Sequence, residues 1–181
     1  MPIRVYVDAS IGRTTAGAGI RIDLCSSHLK PIDFSIPLGI IESPNEAEIL
    51  AIHRAAGILL NLVHLIDSRT SLVEEYVILH SDSVAAVRAL QLRERITDQK
   101  LRTLAKRAAK AWDDIRVDRV NGPGLIAGWS VEKISRAKNP AHVLAKKAIS
   151  DYEDMYKWTP NATNSGTSSS KASKSARRQR R

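Results

Sequence analysis

The stretch Arg4-Val5-Tyr6-Val7-Asp8-Ala9-Ser10, with the run Ala16 to Ile22 close behind it, is the part around which this chain is organised. Val5 and Val7 are apolar at a period of two, which is typical of a half-buried strand. The alternation places one carboxylate, Asp8, where the strand is predicted to end. Such an aspartate is most often a turn residue that accepts hydrogen bonds from backbone amides. Its alternative role, as a metal ligand, depends on partners from later segments.

The charge is strongly basic and unevenly distributed. The 181-residue chain has 28 Lys and Arg against 19 Asp and Glu, a net charge of +9. Six of these cations, and no acid, lie in the last 21 residues, so the rest carries 22 − 19 = +3. A basic balance favours a polyanionic partner, most commonly nucleic acid. The single cysteine permits no internal disulfide and favours a reducing compartment.

No segment has the pattern of a membrane span or a secretory signal. The start, Met1-Pro2-Ile3-Arg4, lacks a long apolar core, and the most apolar run, 55–66, is interrupted by Asn61 and His64. We therefore expect a cytoplasmic protein, or a nuclear one in a nucleated cell, without a membrane partner. No clear oligomer interface is present in the sequence, which predicts a monomer.

The hydrophobic periodicity predicts an alternation of strands and helices in the order β-β-β-α-β-α-α-β-α. The predicted strands cover 3–8, 16–24, 30–38, 76–80 and 129–135, and the predicted helices cover 44–64, 83–92, a segment from 97, and 141–158. Segment 113–128 has two interpretations. Either the third helix continues to the stop signal Asn121-Gly122-Pro123, which we favour, or it ends near Asp114 and 115–120 forms a strand.

Two later carboxylates fall at places comparable to that of Asp8. Glu48 lies one turn into the first predicted helix, and Asp82 follows the continuous apolar strand 76–80. If the first and fourth strands are neighbours, three carboxylates meet at one point and repel one another unless cations lie between them. Two divalent ions about 4 Å apart activate a water and stabilise the leaving oxygen of a phosphodiester. The set therefore predicts a metal site.

The chain resembles the type 1 ribonuclease H family in four segments that follow the family's order. They are Val5-Tyr6-Val7-Asp8-Ala9-Ser10 with Ala16-Gly17-Ala18-Gly19, Asn45-Glu46-Ala47-Glu48, Ser81-Asp82-Ser83, and the stretch Ile134 to Ala145. The resemblance implies an α/β fold, a ribonuclease H-like five-stranded mixed sheet of three antiparallel strands and then two parallel ones, with helices on both faces. It also implies a two-metal endonuclease that cuts the RNA strand of an RNA-DNA hybrid.

The same resemblance assigns roles to individual residues. Asp8, Glu48 and Asp82 become catalytic metal ligands for two Mg²⁺ or Mn²⁺ ions. Asn45 becomes a contact to the minor groove of the hybrid, where the 2′-OH distinguishes RNA from DNA. Further implied contacts to nucleic acid are Ser10, Ser83 and Asn139.

Two departures from the family pattern fall in the last segment. Where the family has an Ala-Asp-x-Leu-Ala pattern, this chain has Ala141-His142-Val143-Leu144-Ala145. A neutral imidazole at the fourth ligand position suits manganese or zinc better than magnesium. His142 is thus either a fourth catalytic ligand or a partly exposed helix residue beside an incomplete site. In addition, the loop Ser135-Arg136-Ala137-Lys138 lacks the histidine that many members carry there.

Two basic segments are candidate nucleic-acid contacts. On the third helix, Lys100, Lys106 and Arg107 hold phosphates or form a solvated face. The segment 159–181, rich in Ser, Lys and Arg, cannot repay the entropy of ordering and is predicted to be a disordered tail after a domain covering 1–158. This tail is a candidate for nonspecific binding of other nucleic acid, or for nuclear import in a nucleated cell.

Three functional interpretations remain. The first, which we prefer, is a metal-dependent ribonuclease acting on RNA-DNA hybrids. The second is a nucleic-acid-binding module that keeps the fold but cuts weakly or not at all. The third is another nuclease of the same fold, such as a 3′ to 5′ exonuclease or an integrase-like enzyme, which the matches around Asn45 and Asn139 disfavour.

Overall fold

The computed structural model describes residues 2–24, 29–66, 75–91, 96–117 and 126–157. It contains five strands, β1 (Ile3–Ile11), β2 (Ala16–Asp23), β3 (Ile32–Gly39), β4 (Tyr76–Ser81) and β5 (Gly128–Lys133). Its helices are α1 (Pro44–Ile66), α2 (Val84–Leu90), α3 (Gln99–Val117) and α4 (Ala141–Lys157), with a 3₁₀ turn over Arg136–Lys138 before α4. The predicted order of elements is confirmed.

The strands form one mixed sheet in the order β3-β2-β1-β4-β5. β1 and β2 run antiparallel, as do β2 and β3, because short connections return the chain directly along its neighbour. β4 is parallel to both β1 and β5, because helical segments connect these strands. The predicted fold class, three antiparallel strands followed by two parallel ones, is confirmed.

One face of the sheet carries the main core. The alternation noticed at Val5 and Val7 buries both side chains completely, together with Leu79 from β4. α1 and α3 cover this face and pack against each other. Trp112 on α3 is fully buried, and its Nε1 donates a hydrogen bond to the backbone oxygen of Ile52 at 3.2 Å. The core thus fixes α1 across β1.

The opposite face of the sheet is covered by α4 above β1, β2 and β3. Close approach is possible because β2 presents Gly17 and Gly19 to this helix. A Cβ atom on Gly19 would overlap the backbone oxygen of Ala141, at the start of α4. The glycines therefore bring the beginning of α4, and with it His142, close to the sheet. Helices lie on both faces, as expected.

Several boundaries differ from the prediction. β1 continues to Ile11 instead of ending at Asp8, because its pairing with β2 extends to Ile11 opposite Ala16. α1 reaches Ile66, two residues beyond the predicted end, and α3 starts at Gln99, not at 97. The α3 helix continues to Val117, so the alternative strand is wrong for 115–117. The rest of that segment up to 125 lies outside the described residues.

Other predictions also fall on residues that the structure does not describe. They include the basic tail 159–181 and the surroundings of Cys25. Within the described ranges, no helix combines the length and the apolar character needed to cross a membrane.

Candidate metal centre

Three carboxylates meet where the pairing of β1 with β4 ends. The last pair of this parallel ladder is Val7 with Ser81, so Asp8 and Asp82 are the next residues on the two strands. Glu48 reaches the same point from the first turns of α1, which packs on β1. One ligand oxygen from each of the three acids lies within 4.8 Å of the others. The predicted convergence of Asp8, Glu48 and Asp82 is present in the structure.

Burial and mutual repulsion act strongly on two of these acids. Asp8 is only 2% exposed, and its pKa is raised from 3.8 to about 6, first by desolvation and then by its hydrogen bond with Asp82. The pKa of Glu48 is raised from 4.5 to about 8, chiefly by desolvation and then by the charges of Asp8 and Asp82. Without a bound cation, the protein therefore does not neutralise the negative charge of the three carboxylates.

The donor set fits a divalent cation. Oε2 of Glu48 is enclosed, and it has no hydrogen-bond partner within the described part of the chain. A buried carboxylate oxygen without a partner is costly unless an unseen group binds it. Hard oxygen ligands from two or three carboxylates are what Mg²⁺ and Mn²⁺ prefer. Asp8, Glu48 and Asp82 can therefore hold a metal ion.

His142 lies directly beside this cluster. It is the second residue of α4, and its Nδ1 is 2.8 Å from Oδ2 of Asp8. Its side chain is 19% exposed, so one part of the imidazole reaches solvent. The predicted fourth ligand is thus close to the three acids, but in this arrangement it is hydrogen-bonded to one of them.

Arg136, which the sequence analysis did not select, contacts His142. Its Nη2 lies 3.4 Å from Nδ1 and 3.3 Å from Nε2 of the imidazole, so the guanidinium is about equally close to both ring nitrogens. The Arg136 charge is also among the influences that lower the pKa of Glu48. The only signal in the sequence was a cation six residues before His142, in the loop where the family's histidine is missing.

Asn139 connects three parts of the site by hydrogen bonds. Its Nδ2 donates to the backbone oxygen of Val7 at 2.9 Å and to Oδ1 of Asp82 at 3.4 Å. Its Oδ1 accepts a hydrogen bond from the backbone N–H of Ala141. Asn139 is 4% exposed, so its amide is engaged within the protein. It connects β1, the Asp82 carboxylate and the start of α4, while its contact with nucleic acid stays a prediction.

Three other residues proposed to contact nucleic acid are close to the acids in sequence. Ser10 is half-buried on β1, two residues after Asp8, and Asn45 is exposed in the first turn of α1. Ser83 caps α2, since its hydroxyl accepts a hydrogen bond from the backbone N–H of Ala86 at 3.2 Å. Ser10 and Asn45 are accessible, and the Ser83 hydroxyl, which accepts this bond from the helix, keeps its O–H donor. The contacts of all three with nucleic acid stay predictions.

The three basic candidates on α3 differ in their surroundings. Nζ of Lys100 is 2.8 Å from Oε1 of Glu46, an ion pair that joins α3 to α1. Lys106 and Arg107 are exposed one to two turns further along. Arg107 is close enough to His53 on α1 to lower its pKa, after desolvation and the charge of Arg54. Lys106 and Arg107 are thus the stronger candidates for phosphate contacts.

The remaining histidines within the described residues do not join the cluster. His80 stacks on Tyr6 with ring centroids 4.9 Å apart, on the sheet face opposite the main core. His53 is half-buried on α1. The grouping of acids that could hold a metal in the described ranges contains Asp8, Glu48 and Asp82, without a histidine.

Comparison with known proteins gives similarity at the level of structure. No family model and no curated protein matches the chain. It is similar to RNase H1 from the archaeon Halobacterium salinarum NRC-1, with a TM-score of 0.63 at 19% identity over 83% of this chain and 99% of the other. LC11-RNase H1, isolated from compost by a metagenomic approach and solved in complex with an RNA/DNA hybrid, gives a TM-score of 0.62 at 22% identity over 83% and 99%.

A third similar structure is the N-terminal RNase H domain of a Mycobacterium tuberculosis protein. Its TM-score is 0.58 at 17% identity over 86% of this chain and 98% of that one. Because all three identities are low, the likeness establishes the fold and not the activity. The five-stranded mixed sheet is the one that the resemblance in the sequence implied.

Proposed function

We propose that this chain, which has the ribonuclease H fold, is a metal-dependent endonuclease that hydrolyses the RNA strand of RNA-DNA hybrids. The observation that carries the proposal is the convergence of Asp8, Glu48 and Asp82, whose ligand oxygens lie within 4.8 Å of one another. The unpaired, enclosed oxygen of Glu48 supports a cation at this point. Neither feature serves stability, because burying carboxylates together costs free energy.

The three acids would hold Mg²⁺ or Mn²⁺ ions, which supply a polarised water and charge stabilisation of the phosphodiester. Other residues of the chain position these acids. Asp8 is fixed by its place on β1 and by the hydrogen bond from His142. Asp82 is fixed by Asn139, which also ties α4 to β1. The resemblance implies a second ion, for which His142 would be an additional ligand.

Recognition of a hybrid is supported by the residues around the centre. Asn45 and Ser10, which precede Glu48 by three residues and follow Asp8 by two, are accessible and would contact the minor groove and its 2′-OH groups. Lys106 and Arg107, which are exposed on α3, would bind phosphates of the second strand. The complex of LC11-RNase H1 with an RNA/DNA hybrid is a precedent for such a substrate on this fold.

A hydrolysis assay tests the proposal. The full chain is incubated with labelled RNA-DNA hybrid, duplex RNA or duplex DNA, in Mg²⁺, in Mn²⁺ and in a chelator. We expect internal cuts in the RNA strand of the hybrid only, in the presence of metal. An Asp82→Asn variant should lose at least about 10²-fold in rate because a ligand charge is removed.

A second candidate function has an observation of its own. His142 and Arg136 occupy the side of Asp8 where a further acid would complete the cluster. A chain that binds hybrids without cutting them would therefore be a binding module. Binding of the hybrid with no metal-dependent cuts in either ion would support this candidate against the nuclease, whereas cleavage of duplex DNA would indicate another nuclease of the same fold.

A further inference from the structure

The side of Asp8 that faces α4 is already occupied. Oδ2 of Asp8 is 2.8 Å from Nδ1 of His142, whereas Glu48 and Asp82 approach from the α1 and β4 sides. Two ions about 4 Å apart are close enough for one carboxylate to offer an oxygen to each of them. One oxygen of Asp8 is engaged by the imidazole. The geometry leaves this carboxylate one oxygen for a metal ion.

The imidazole is held in place by a cation. Nη2 of Arg136 lies 3.3 Å and 3.4 Å from the two nitrogens of His142. The guanidinium remains charged at all relevant pH values. It comes from the 3₁₀ turn before α4, so its fixed positive charge lies against the imidazole that contacts Asp8.

The charges of the site agree with a single ion. With the three carboxylates ionised, as ligands of a metal are, they contribute −3, and Arg136 contributes +1, so the local sum is −2. One divalent cation neutralises this sum. A fourth carboxylate at position 142, without the arginine, would give −4, the charge that two divalent cations neutralise.

We propose that this centre takes one divalent cation instead of two, and that the Arg136–His142 pair occupies the place of the second. This inference rests on the proposed function and specifies its metal requirement. The guanidinium then provides the positive charge that a second ion would bring to the phosphodiester, and His142 positions Asp8 for the remaining ion.

The number of bound ions is measured directly. The full chain is titrated with Mn²⁺ alone, followed by calorimetry and by electron paramagnetic resonance, which distinguishes isolated from spin-coupled Mn²⁺. The measurement is repeated with an RNA-DNA hybrid whose RNA strand carries non-cleavable 2′-O-methyl groups. We expect one Mn²⁺ per chain and an uncoupled spectrum in both cases.

Two substitutions test the pair itself. His142→Asp should add a second Mn²⁺ and produce a spin-coupled spectrum, because it removes the imidazole and supplies an acid. Arg136→Gln should bind the single Mn²⁺ about threefold or more tightly, since a nearby positive charge is lost, yet cut hybrid more slowly. Arg136→Lys should restore much of the rate. Lys138→Gln removes an exposed cation from the same turn and should change neither quantity.

The outcomes separate this inference from the proposed function. Two coupled Mn²⁺ ions in the unmodified chain would overturn the inference and leave the metal-dependent nuclease intact. One ion in both the unmodified chain and His142→Asp would also overturn it, because the pair would then not be what excludes the second ion. Absence of any bound Mn²⁺, together with absence of cutting, would overturn the proposed function itself.

Discussion

Nδ1 of His142 lies 2.8 Å from Oδ2 of Asp8, across 134 residues of sequence. This contact joins the first strand to the last helix at the point where Asp82 and Glu48 also arrive. It places a histidine at the position where the family resemblance implies a fourth aspartate. This contact decides whether Asp8 can offer one or both of its carboxylate oxygens to metal ions.

The His142→Asp substitution should raise hydrolysis of the hybrid in Mg²⁺ by about tenfold, because it frees Asp8 from the imidazole and supplies a carboxylate oxygen, the ligand that Mg²⁺ prefers. Initial rates at saturating hybrid, measured in Mg²⁺ and in Mn²⁺, check this. The matched control is His142→Asn, which removes the imidazole without adding charge and should not raise the rate. Equal rates for the unmodified chain and His142→Asp would mean that the missing acid does not limit catalysis.

The metal-free chain should lose stability as the pH rises. Asp8 and Glu48 have folded-state pKa values of about 6 and about 8, above their ordinary values of 3.8 and 4.5. At pH values between the ordinary and the raised pKa values, the folded chain binds more protons than the unfolded chain. The free energy of unfolding therefore falls as the pH rises from about 4 to about 8. Urea denaturation in a chelator at several pH values measures this slope.

The Glu48→Gln substitution removes the contribution of Glu48 to the pH dependence of stability. At pH 8.5 without metal, the variant should be more stable than the unmodified chain by about 2 kcal/mol, allowing for partial solvent screening of a half-buried group. At pH 5 the two should be nearly equal, because Glu48 is then protonated in the folded chain. Added Mn²⁺ should stabilise the unmodified chain more than the variant at pH 8.5. A constant difference across the pH range would contradict the assigned pKa shift.

The Gly19→Ala substitution should destabilise the fold by about 3 kcal/mol, because the new Cβ overlaps the backbone of α4 at Ala141. It should also reduce cutting, since α4 carries His142. Thermal or urea unfolding measures the first effect. Gly57→Ala is the matched control, as no atom lies within 4 Å of the added Cβ on α1. It should stabilise the chain by about 0.5 to 1 kcal/mol through helix propensity.

The Lys106→Gln/Arg107→Gln double variant should bind the hybrid about threefold to tenfold more weakly near 0.1 M salt. Loss of two phosphate contacts should also reduce the slope of log affinity against log salt by about 1.5. Fluorescence anisotropy at several salt concentrations measures both. Lys110→Gln is the control, because Nζ of Lys110 pairs with Asp114 on the same helix at 2.7 Å. An unchanged slope in the double variant would show that this face of α3 does not touch the hybrid.

The Asn139→Ala substitution should cost about 2 to 3 kcal/mol of stability. It leaves the backbone oxygen of Val7 and the backbone N–H of Ala141 without their partner in a buried site. Denaturation in the absence of nucleic acid measures the loss. Asn45→Ala, at an exposed position of α1, should leave stability unchanged and weaken the preference for hybrid over duplex DNA. Equal stability of the two variants would argue against the structural role of Asn139.

The sequence alone determined the elements and the three acids. Period-two alternation at Val5 and Val7 and the continuous apolar run 76–80 are local patterns, and local patterns record which side chains must be buried. Glu48 and Asp82 were found because each lies at a defined place relative to a predicted element. The predicted ends of the elements were less accurate where strand pairing sets them. Pairing with β2, for example, extends β1 to Ile11.

Only the tertiary structure decided how the centre is completed. The contact of His142 with Asp8, and that of Arg136 with His142, depend on how deeply α4 approaches the sheet. That approach is set by Gly19, which is far from both residues in sequence. Likewise the hydrogen bonds of the Asn139 amide with the backbones of Val7 and Ala141 are visible only in the tertiary structure. A sequence pattern reports residue types and spacing, whereas bond partners follow from packing between distant segments.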